Sequence, residues 1–395
     1  MACGKGIYMT ETELRKIIEE INPVDRESMK QAEARLDILA KPPGSLGVLE
    51  SIAIQLAGIT GRVKNSINSS AVTVFAADNG VTEEGTASAP QSVTYSQTIN
   101  ISRHLTGVGA LADCFGTDIL VTDVGVNTDF PEEMLTLDPV VHNCSTGVCR
   151  QTLVEGIVNR KIAYGTNNFA KEPAMSRHQV MMGIYIGIEA AKAAGNTGHD
   201  IIGVGEMGIG NTTTASAVLS ALTGLPASKT AGRGGGLDSD SFARKKEVID
   251  NAVKRITPYE DGWDRVFEAL SQVGGFDIAA MTGTFLGAAL YGMPAVIDGY
   301  ISAVAALCAY MINPEVKGYL FGSHKSKEPG YEYAASALGI KPMLDLEMRL
   351  GEGSGCPMAF QVIKGACAVM CNMTTLEEGN VEAEYLKKLD KEEDF

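Results

Sequence analysis

The sequence predicts an α/β protein built on a parallel sheet that helices cover on both faces. Short runs rich in β-branched residues alternate with longer helical runs, which is the pattern of parallel strands joined by crossover helices. The 44 glycines cluster at the ends of apolar runs, where loops approach a ligand closely. With 45% hydrophobic and 21% charged residues, the chain of 395 residues can bury a large core.

Helices are predicted at the N-terminal end. Thr10 and Glu13 match a capping box that starts the helix ETELRKIIEEI, and Asp25 can start the next helix, RESMKQAEARLDILA. The segment KPPGSLG breaks that helix, and VLESIAIQLAGI forms a third. We expect these helices to pack with the C-terminal segment as a small helical domain.

Five strands follow: AVTVFAADNG, TDILVTDVGV, DIIGVGEMGIGN, PAVIDGY and GYLFGSH. Helical runs such as FDIAAMTGTFLGAALYG lie between them. Loops at the carboxyl ends of parallel strands form the ligand crevice of such a sheet. The polar residues that end the first four strands are therefore candidate site residues: Asp78, Asn79, Asp123, Glu206 and Asp298.

Three segments are expected along the chain. Residues 1–60 hold the N-terminal helices, and residues 61–345 hold the large α/β domain with the active-site loops. Residues 346–395 hold a glycine motif, a C-terminal helix and a charged tail. The tail, LEEGNVEAEYLKKLDKEEDF, is expected to form a surface helix with a frayed end.

Charge and composition narrow the classes of partner. A net charge of −15 disfavours nucleic acid, because the protein cannot replace counterions along a phosphodiester backbone. The eight cysteines lack the spacing of a zinc site, and several lie in apolar helical runs, which favours a reducing compartment. Neither a signal peptide nor a membrane-spanning run is apparent. We therefore expect a cytoplasmic protein with no membrane, nucleic-acid or metal site.

The motif GVGEMG, Gly203 to Gly208, matches the dinucleotide-binding pattern G-x-G-x-x-G and follows a strand. Two features weaken that interpretation. The Glu206 carboxylate would lie inside a loop that has to hold a pyrophosphate, and no acid follows between Gly208 and Asp238 to bind a ribose.

Two other stretches of the sequence are better candidates than the 203–208 motif for binding an anion such as phosphate. Asn211 and Thr212 begin a helix whose free N–H groups can bind phosphate, although either could simply be an N-cap. GRGGGLD, residues 232–238, precedes a helix with Arg244, Lys245 and Lys246, which could also be a solvated charged face.

The chain resembles the nicotinate-nucleotide:dimethylbenzimidazole phosphoribosyltransferase (CobT) family from about Lys41 to about Met373. The resemblance rests on ordered blocks, among them LAKPPGSLGVLE, FAADNGVTEEG, QSVTYSQTIN, EPAMSR, GVGEMGIGNTTTA, GGFDIAAMTG, VIDGYIS, GSHKSKEPG and MRLGEGSG. It implies a Rossmann-like parallel sheet, a small helical domain from both termini, and a dimer. It also implies transfer of phosphoribose from nicotinate mononucleotide to an aromatic base with inversion, without a metal or other cofactor.

The resemblance also implies roles for residues. Glu352, in MRLGEGSG, matches the family's general base, and a nucleophile that loses its proton on attack needs such a carboxylate. The alternative is that the acid, or Ser354, caps the following helix. Glu206 and Asp298 are candidates for stabilising positive charge on the ribose. Motif matching gives phosphate contacts at Gly208, Ile209, Asn211, Thr212, Gly234, Gly235 and Lys245. It gives acceptor-base contacts at Ala89, Gln97, Leu350 and Glu352, and Gly353 is a further substrate-binding candidate.

Two departures from the family pattern concern the acceptor. The family often has His where this chain has Asn79, and Ser where it has Ala89. Losing that hydroxyl favours a relative that accepts phenol or p-cresol as well as benzimidazoles, in a homodimer or a heterodimer with a paralogous chain. The remaining alternatives are a dinucleotide-dependent oxidoreductase using the 203–208 loop and a non-catalytic paralogue, which would lack Glu352.

Overall fold

The centre of the protein is an eight-stranded sheet in the order β10-β9-β8-β7-β1-β2-β6-β3. The computed structural model describes residues 9–145, 148–257 and 259–382. Ten strands occupy these described residues: β1 (Ser70–Ala77), β2 (Asp118–Gly125), β3 (Leu135–Thr136), β4 (Val140–Ser145), β5 (Val148–Leu153), β6 (Ile157–Asn159), β7 (Ile201–Met207), β8 (Ala295–Ile297), β9 (Leu320–His324) and β10 (Pro342–Leu344).

Every pairing in the large sheet is parallel, which confirms the predicted architecture. All residues of β1 and β7 are buried, because helices cover both faces of the sheet there. The five predicted strands correspond to β1, β2, β7, β8 and β9. The short strands β3, β6 and β10 and the antiparallel pair β4–β5 were not predicted.

Fourteen helices occupy the described residues: α1 (Glu11–Glu19), α2 (Arg26–Ile38), α3 (Val48–Thr60), α4 (Ser92–Ser102), α5 (Gly107–Phe115), α6 (Arg177–Asn196), α7 (Asn211–Thr223), α8 (Ala227–Thr230), α9 (Ser239–Val253), α10 (Gly262–Val273), α11 (Phe276–Leu290), α12 (Tyr300–Ile312), α13 (Gly330–Leu338) and α14 (Cys356–Asn372). Short 3₁₀ helices lie at Gly80–Glu84, Glu132–Met134 and Pro314–Tyr319. None of the described helices is long and apolar enough to cross a membrane.

The predicted starts of the first two helices are confirmed. Thr10 and Glu13 form both bonds of a capping box on α1, and the Asp25 side chain accepts from the Glu27 N–H at the start of α2. These bonds satisfy donors that the first turn of a helix leaves free.

The N-terminal helices meet the C-terminal segment. Helix α3 packs against α2 and α14, and Leu39 pairs with Thr375 in an antiparallel bridge. The Arg35 Nε donates to the Met370 carbonyl at 2.9 Å. The segment limits at residues 60 and 345 remain predictions. Residues 376–380 form turns, and the rest of the predicted tail helix, from residue 383, lies outside the described residues.

Candidate active site

A cleft of about 660 Å³ opens where the strands of the parallel sheet end. Its walls come from the segments after β7, β8 and β9, from residues 86–97, and from Arg233–Leu237. The last wall belongs to the glycine segment, Met348–Gly355, of which Arg349–Glu352 face the cleft. A cleft therefore lies at the carboxyl ends of the strands, where the sequence predicts the ligand site.

Of the residues to which the family resemblance assigns roles, all but two line this cleft: Ala89, Gln97, Glu206, Gly208, Ile209, Asn211, Thr212, Gly234, Gly235, Asp298, Leu350 and Glu352. The two exceptions lie directly behind its wall. The Gly353 N–H donates to Asp298 Oδ2 at 3.1 Å, and the fully buried Lys245 donates from Nζ to Thr212 Oγ1 at 2.9 Å. Gly353 and Lys245 thus act on residues that line the cleft.

The glycine segment has an unusual backbone around Glu352. Gly351, Glu352 and Gly353 have φ angles of 86°, 64° and 86°. This left-handed conformation is easy for glycine and costs a glutamate free energy. A Cβ on Gly205 would lie 2.5 Å from the Glu352 carbonyl carbon, so the segment lies directly on β7.

The Glu352 carboxylate is buried and lies at the start of α5. Its Oε2 accepts from the Val108 N–H at 3.2 Å. Burial raises the pKa of Glu352, while hydrogen bonds from the 106–108 segment act in the opposite direction. The acid therefore does cap a helix, but it caps α5. Neither Glu352 nor Ser354 caps α14, whose N-cap Gly355 makes no side-chain cap bond.

Buried carboxyl groups surround the floor of the cleft. The Asn211 Nδ2 donates to Glu206 Oε2 and, at 3.2 Å, to Asp277 Oδ2. Burial, with the nearby charge of Asp277, raises the pKa of Glu206 well above its usual value. Burial also raises the pKa of Asp277 to about 6. Burial thus favours the protonated form of these acids, and a positive charge beside them would favour the ionised form.

Asp298 connects this floor to the glycine segment. Its carboxylate accepts from the Gly353 and Gly355 N–H groups at 3.1 and 2.7 Å. Burial raises the pKa of Asp298 to about 7. His324 lies 3.8 Å away from it, and burial lowers the pKa of that imidazole to about 4, so His324 is neutral near pH 7.

Several residues of the site were not predicted from the sequence. Asp277, Arg349, Glu328 and Ser88 belong to this group, although the first three lie in or beside motifs already recognised. Arg349 donates from Nη1 to the Gly234 carbonyl at 3.1 Å and so joins the glycine segment to the 232–238 loop. Ordinary sequence patterns carry no signal for such a contact, which spans 115 residues.

Asn79 makes two side-chain hydrogen bonds that have a structural role. Its Oδ1 accepts from Thr214 Oγ1 at 3.1 Å, and its Nδ2 donates to the Ile209 carbonyl at 3.4 Å. Asn79 therefore fixes the turn between β7 and α7. The predicted candidates Asp78 and Asp123 do not line the cleft.

The G-x-G-x-x-G motif does not form a dinucleotide loop. Gly203 and Gly205 lie within β7, and a Cβ on Gly203 would lie 2.5 Å from the Cβ of Cys356 on α14. These two glycines make room for α14 and the glycine segment, so they do not face a pyrophosphate. Among the described residues, no group of three or more His, Cys, Asp or Glu is arranged to hold a metal ion.

The fold is an α/β fold with a cleft at the carboxyl edge of its parallel sheet, and comparison with known proteins gives the class of the protein. A family model described as phosphoribosyltransferase matches residues 21–381. The protein is therefore a pentosyltransferase.

Relatives named nicotinate-nucleotide–dimethylbenzimidazole phosphoribosyltransferase align with nearly the whole chain. The Clostridium perfringens (strain 13) protein is 50% identical over 380 residues, covering 96% of this chain and 98% of the relative. The Clostridium tetani protein is 43% identical, with 94% and 96% covered. A crystal structure of the Thermus thermophilus enzyme of that name matches with a TM-score of 0.81 at 34% identity, covering 91% and 99%. The chain belongs to this CobT family.

Proposed function

We propose that the protein transfers the 5-phosphoribosyl group of nicotinate mononucleotide to an aromatic base, and that Glu352 is the general base. The observation that carries this proposal is that the buried Glu352 carboxylate and the N-terminal end of α7 line the same cleft. The names of the relatives supply the two substrates.

The nucleotide phosphate is proposed to bind at the start of α7. The N–H groups there and the partial positive charge of the helix end attract an anion. Gly210 and Gly234 have positive φ angles of 92° and 53°, which lets the two loops come close together. Lys245 reaches the same place through Thr212 and adds a positive charge.

The acceptor base is proposed to bind between residues 89–97 and the glycine segment. Leu350 is 59% exposed and lines the cleft together with Ala89, Gln97 and the buried Glu352. A flat ring covers apolar surface there while its N–H or O–H points at a carboxylate.

The reaction then balances with one proton transfer. The ring nitrogen or phenol oxygen of the acceptor forms a bond to C1′ of the ribose, and the bond from C1′ to the pyridinium nitrogen of nicotinate breaks. The electron pair of that bond neutralises the leaving ring, and the acceptor proton moves to Glu352. Glu206 and Asp298 also line the cleft, and their ionised carboxylates would stabilise the cationic sugar.

The acceptor is proposed to be 5,6-dimethylbenzimidazole, with phenol or p-cresol as further candidates. Ala89 supports the phenolic candidates, because it offers no hydroxyl to an azole nitrogen. The proposed setting is the cytoplasm, and the proposed assembly is a homodimer or a heterodimer with a paralogous chain.

The test supplies purified protein with nicotinate mononucleotide and one base at a time, and follows nicotinate and riboside phosphate by chromatography and mass spectrometry. We expect product with dimethylbenzimidazole, and Ala89→Ser should lower the ratio of phenol to benzimidazole turnover. Failure with every base would contradict the transferase proposal. Benzimidazole turnover without any phenolic product would contradict only the broader acceptor range.

A further inference from the structure

Glu328 is a buried acid of the cleft that the proposed reaction does not use. It lies between β9 and α13, is 8% exposed, and lines the cleft. Its Oε2 is buried without a hydrogen-bond partner in the part of the chain that the structure describes. Leaving a buried carboxylate oxygen unpaired is costly, so such an atom calls for a ligand.

The described residues around Glu328 hold its side chain in place but provide no hydrogen-bond donor to Oε2. The Glu328 N–H donates to Ser326 Oγ at 3.3 Å, which fixes the turn. Oε2 packs against Gly232, where any side chain would overlap it. Burial raises the pKa of Glu328, and Lys245, Arg349 and the Gly234 amide lower it to a smaller extent.

Two positive charges are thus near Glu328, but neither forms an ion pair with it. The Lys245 ammonium donates to Thr212, and Arg349 donates to the Gly234 carbonyl. The carboxylate therefore lies next to the proposed phosphate site with an acceptor atom still free.

The chemistry of that atom selects its ligand. An ionised carboxylate only accepts hydrogen bonds, so its partner must carry O–H or N–H donors. The phosphate and the nicotinate carboxylate of the nucleotide are acceptors, whereas the two ribose hydroxyls are donors. Those hydroxyls belong to the sugar that joins the phosphate to the reacting carbon.

We propose that Glu328 binds the 2′- and 3′-hydroxyl groups of the nucleotide ribose and selects a ribonucleotide over a deoxyribonucleotide. This inference rests on the proposed function, because it takes the sugar phosphate of that reaction as the ligand. Glu328 acts on a part of the substrate away from the proton transfer at Glu352. It is a specificity residue for the sugar.

The test compares nicotinate mononucleotide with its 2′-deoxy and 3′-deoxy analogues in the wild type, Glu328→Gln and Glu328→Ala. For the wild type, kcat/KM should fall about 10- to 100-fold on removing a bound hydroxyl, the scale of a hydrogen bond to a charged group. Glu328→Ala should lose a similar factor with the intact nucleotide and lose little more with the deoxy analogue. Glu332→Ala is the matched control, since Glu332 is exposed and pairs with Lys325 at 3.1 Å.

The proposal would be overturned if Glu328→Ala still preferred the ribonucleotide over the deoxy analogues as strongly as the wild type does. It would also be overturned if the wild type turned over all three nucleotides equally. If Glu328 only tunes Lys245, Glu328→Gln would weaken all three nucleotides equally and shift the alkaline pH limb, and that result would overturn it too. Should Glu328→Ala fail to fold, the near-isosteric Glu328→Gln carries the comparison.

A calorimetric titration with ribose 5-phosphate and 2-deoxyribose 5-phosphate separates this inference from the transferase proposal. Tighter binding of the ribose compound by the wild type, reduced in Glu328→Gln, supports the Glu328 assignment even without turnover. Equal binding of both compounds contradicts it even if transfer to the base proceeds.

Discussion

Glu352 combines a buried carboxylate with a left-handed backbone, at φ 64°. Such a conformation costs of order 1 kcal/mol or more and persists only where the surroundings hold it. Here the Glu352 N–H lies 3.4 Å from Glu206 Oε1, and the side chain reaches the start of α5. The motif MRLGEGSG singled out Glu352 in the sequence, but its contact with Val108 spans 244 residues and left no local signal.

The lowered pKa of the buried Lys245 sets an expected alkaline limit for nucleotide binding. Burial lowers the pKa of Lys245 to about 8, so the charged form is present below about pH 8 and is lost as the pH rises through that value. In the free enzyme, kcat/KM for the nucleotide should therefore fall above about pH 8. Lys245→Met should lower kcat/KM about 10- to 100-fold near pH 7, the scale of a charge-assisted hydrogen bond. The same variant should no longer show the fall in kcat/KM above about pH 8.

The matched control for this pH profile is Lys246→Met, because the Lys246 ammonium lies over the Phe242 ring, 4.5 Å from its centroid, and does not line the cleft. It should keep the wild-type profile. A limb near pH 8 that survives in Lys245→Met would assign the titration to another group.

At the scale of elements, the glycine segment depends on backbone freedom at Gly353. That residue has φ 86°, and a Cβ would lie 2.6 Å from Val72 Cγ1. Gly353→Ala should destabilise the protein by about 1–3 kcal/mol and reduce turnover, because the segment that carries Glu352 must move. Thermal unfolding and the transfer assay measure the two effects.

Gly365→Ala is the comparison for that variant. Gly365 lies inside α14, and no atom of another described segment comes within 4 Å of the added Cβ, so alanine should stabilise the helix by about 0.5–1 kcal/mol and leave turnover unchanged. Equal unfolding temperatures for Gly353→Ala and the wild type would show that the segment tolerates a side chain there.

Helices α6 and α11 approach each other through glycine. A Cβ on Gly187 would overlap the Ala280 carbonyl oxygen, and one on Gly283 would overlap that of Ile184. Gly187→Val should therefore lower the free energy of unfolding by several kcal/mol, since the two backbones must separate. Gly195→Ala near the end of α6 meets only the flexible tip of Met293, at 3.3 Å, and should cost little. Similar denaturant midpoints for the two variants would contradict this description of the crossing.

The helices and strands differ in how well they could be predicted from local sequence. Strands β1 and β7 are long apolar runs, and α1 and α2 carry polar caps, so local patterns sufficed. Strands β3, β6 and β10 span two or three residues each, which is too short for any periodicity. The 203–208 motif matches a dinucleotide-loop pattern although its first two glycines, Gly203 and Gly205, serve close packing against elements distant in sequence.

At the scale of the whole molecule, Glu11 fastens the N-terminal helix to the α/β body. Its carboxylate accepts from Arg177 Nε and from Trp263 Nε1, each at 2.8 Å. Trp263 is the only tryptophan of the chain and is 5% exposed. Glu11→Ala should therefore red-shift the tryptophan emission and increase its quenching by iodide or acrylamide.

The control for that fluorescence experiment is Glu19→Ala, at the exposed end of the same helix. It should leave the Trp263 spectrum unchanged. Wild-type emission from Glu11→Ala would show that α1 stays docked without this acid.

The sheet, its covered faces and most of the cleft wall could be predicted because they depend on strand order and on motifs at strand ends. The hydrogen bonds of the site could not, because they join segments that meet only in the folded chain. Arg349 with Gly234 and Asn211 with Asp277 are two such pairs.

The central claim, that Glu352 removes the acceptor proton, is tested most directly by Glu352→Gln. The glutamine keeps an oxygen for the Val108 N–H, so folding and nucleotide affinity should stay near those of the wild type. Turnover of nicotinate mononucleotide with dimethylbenzimidazole should fall about 10²-fold or more, the scale of general-base catalysis. Glu347→Gln, on an exposed residue paired with Lys327, should retain full turnover. Wild-type turnover in Glu352→Gln, with unchanged nucleotide affinity, would show that another group takes the proton.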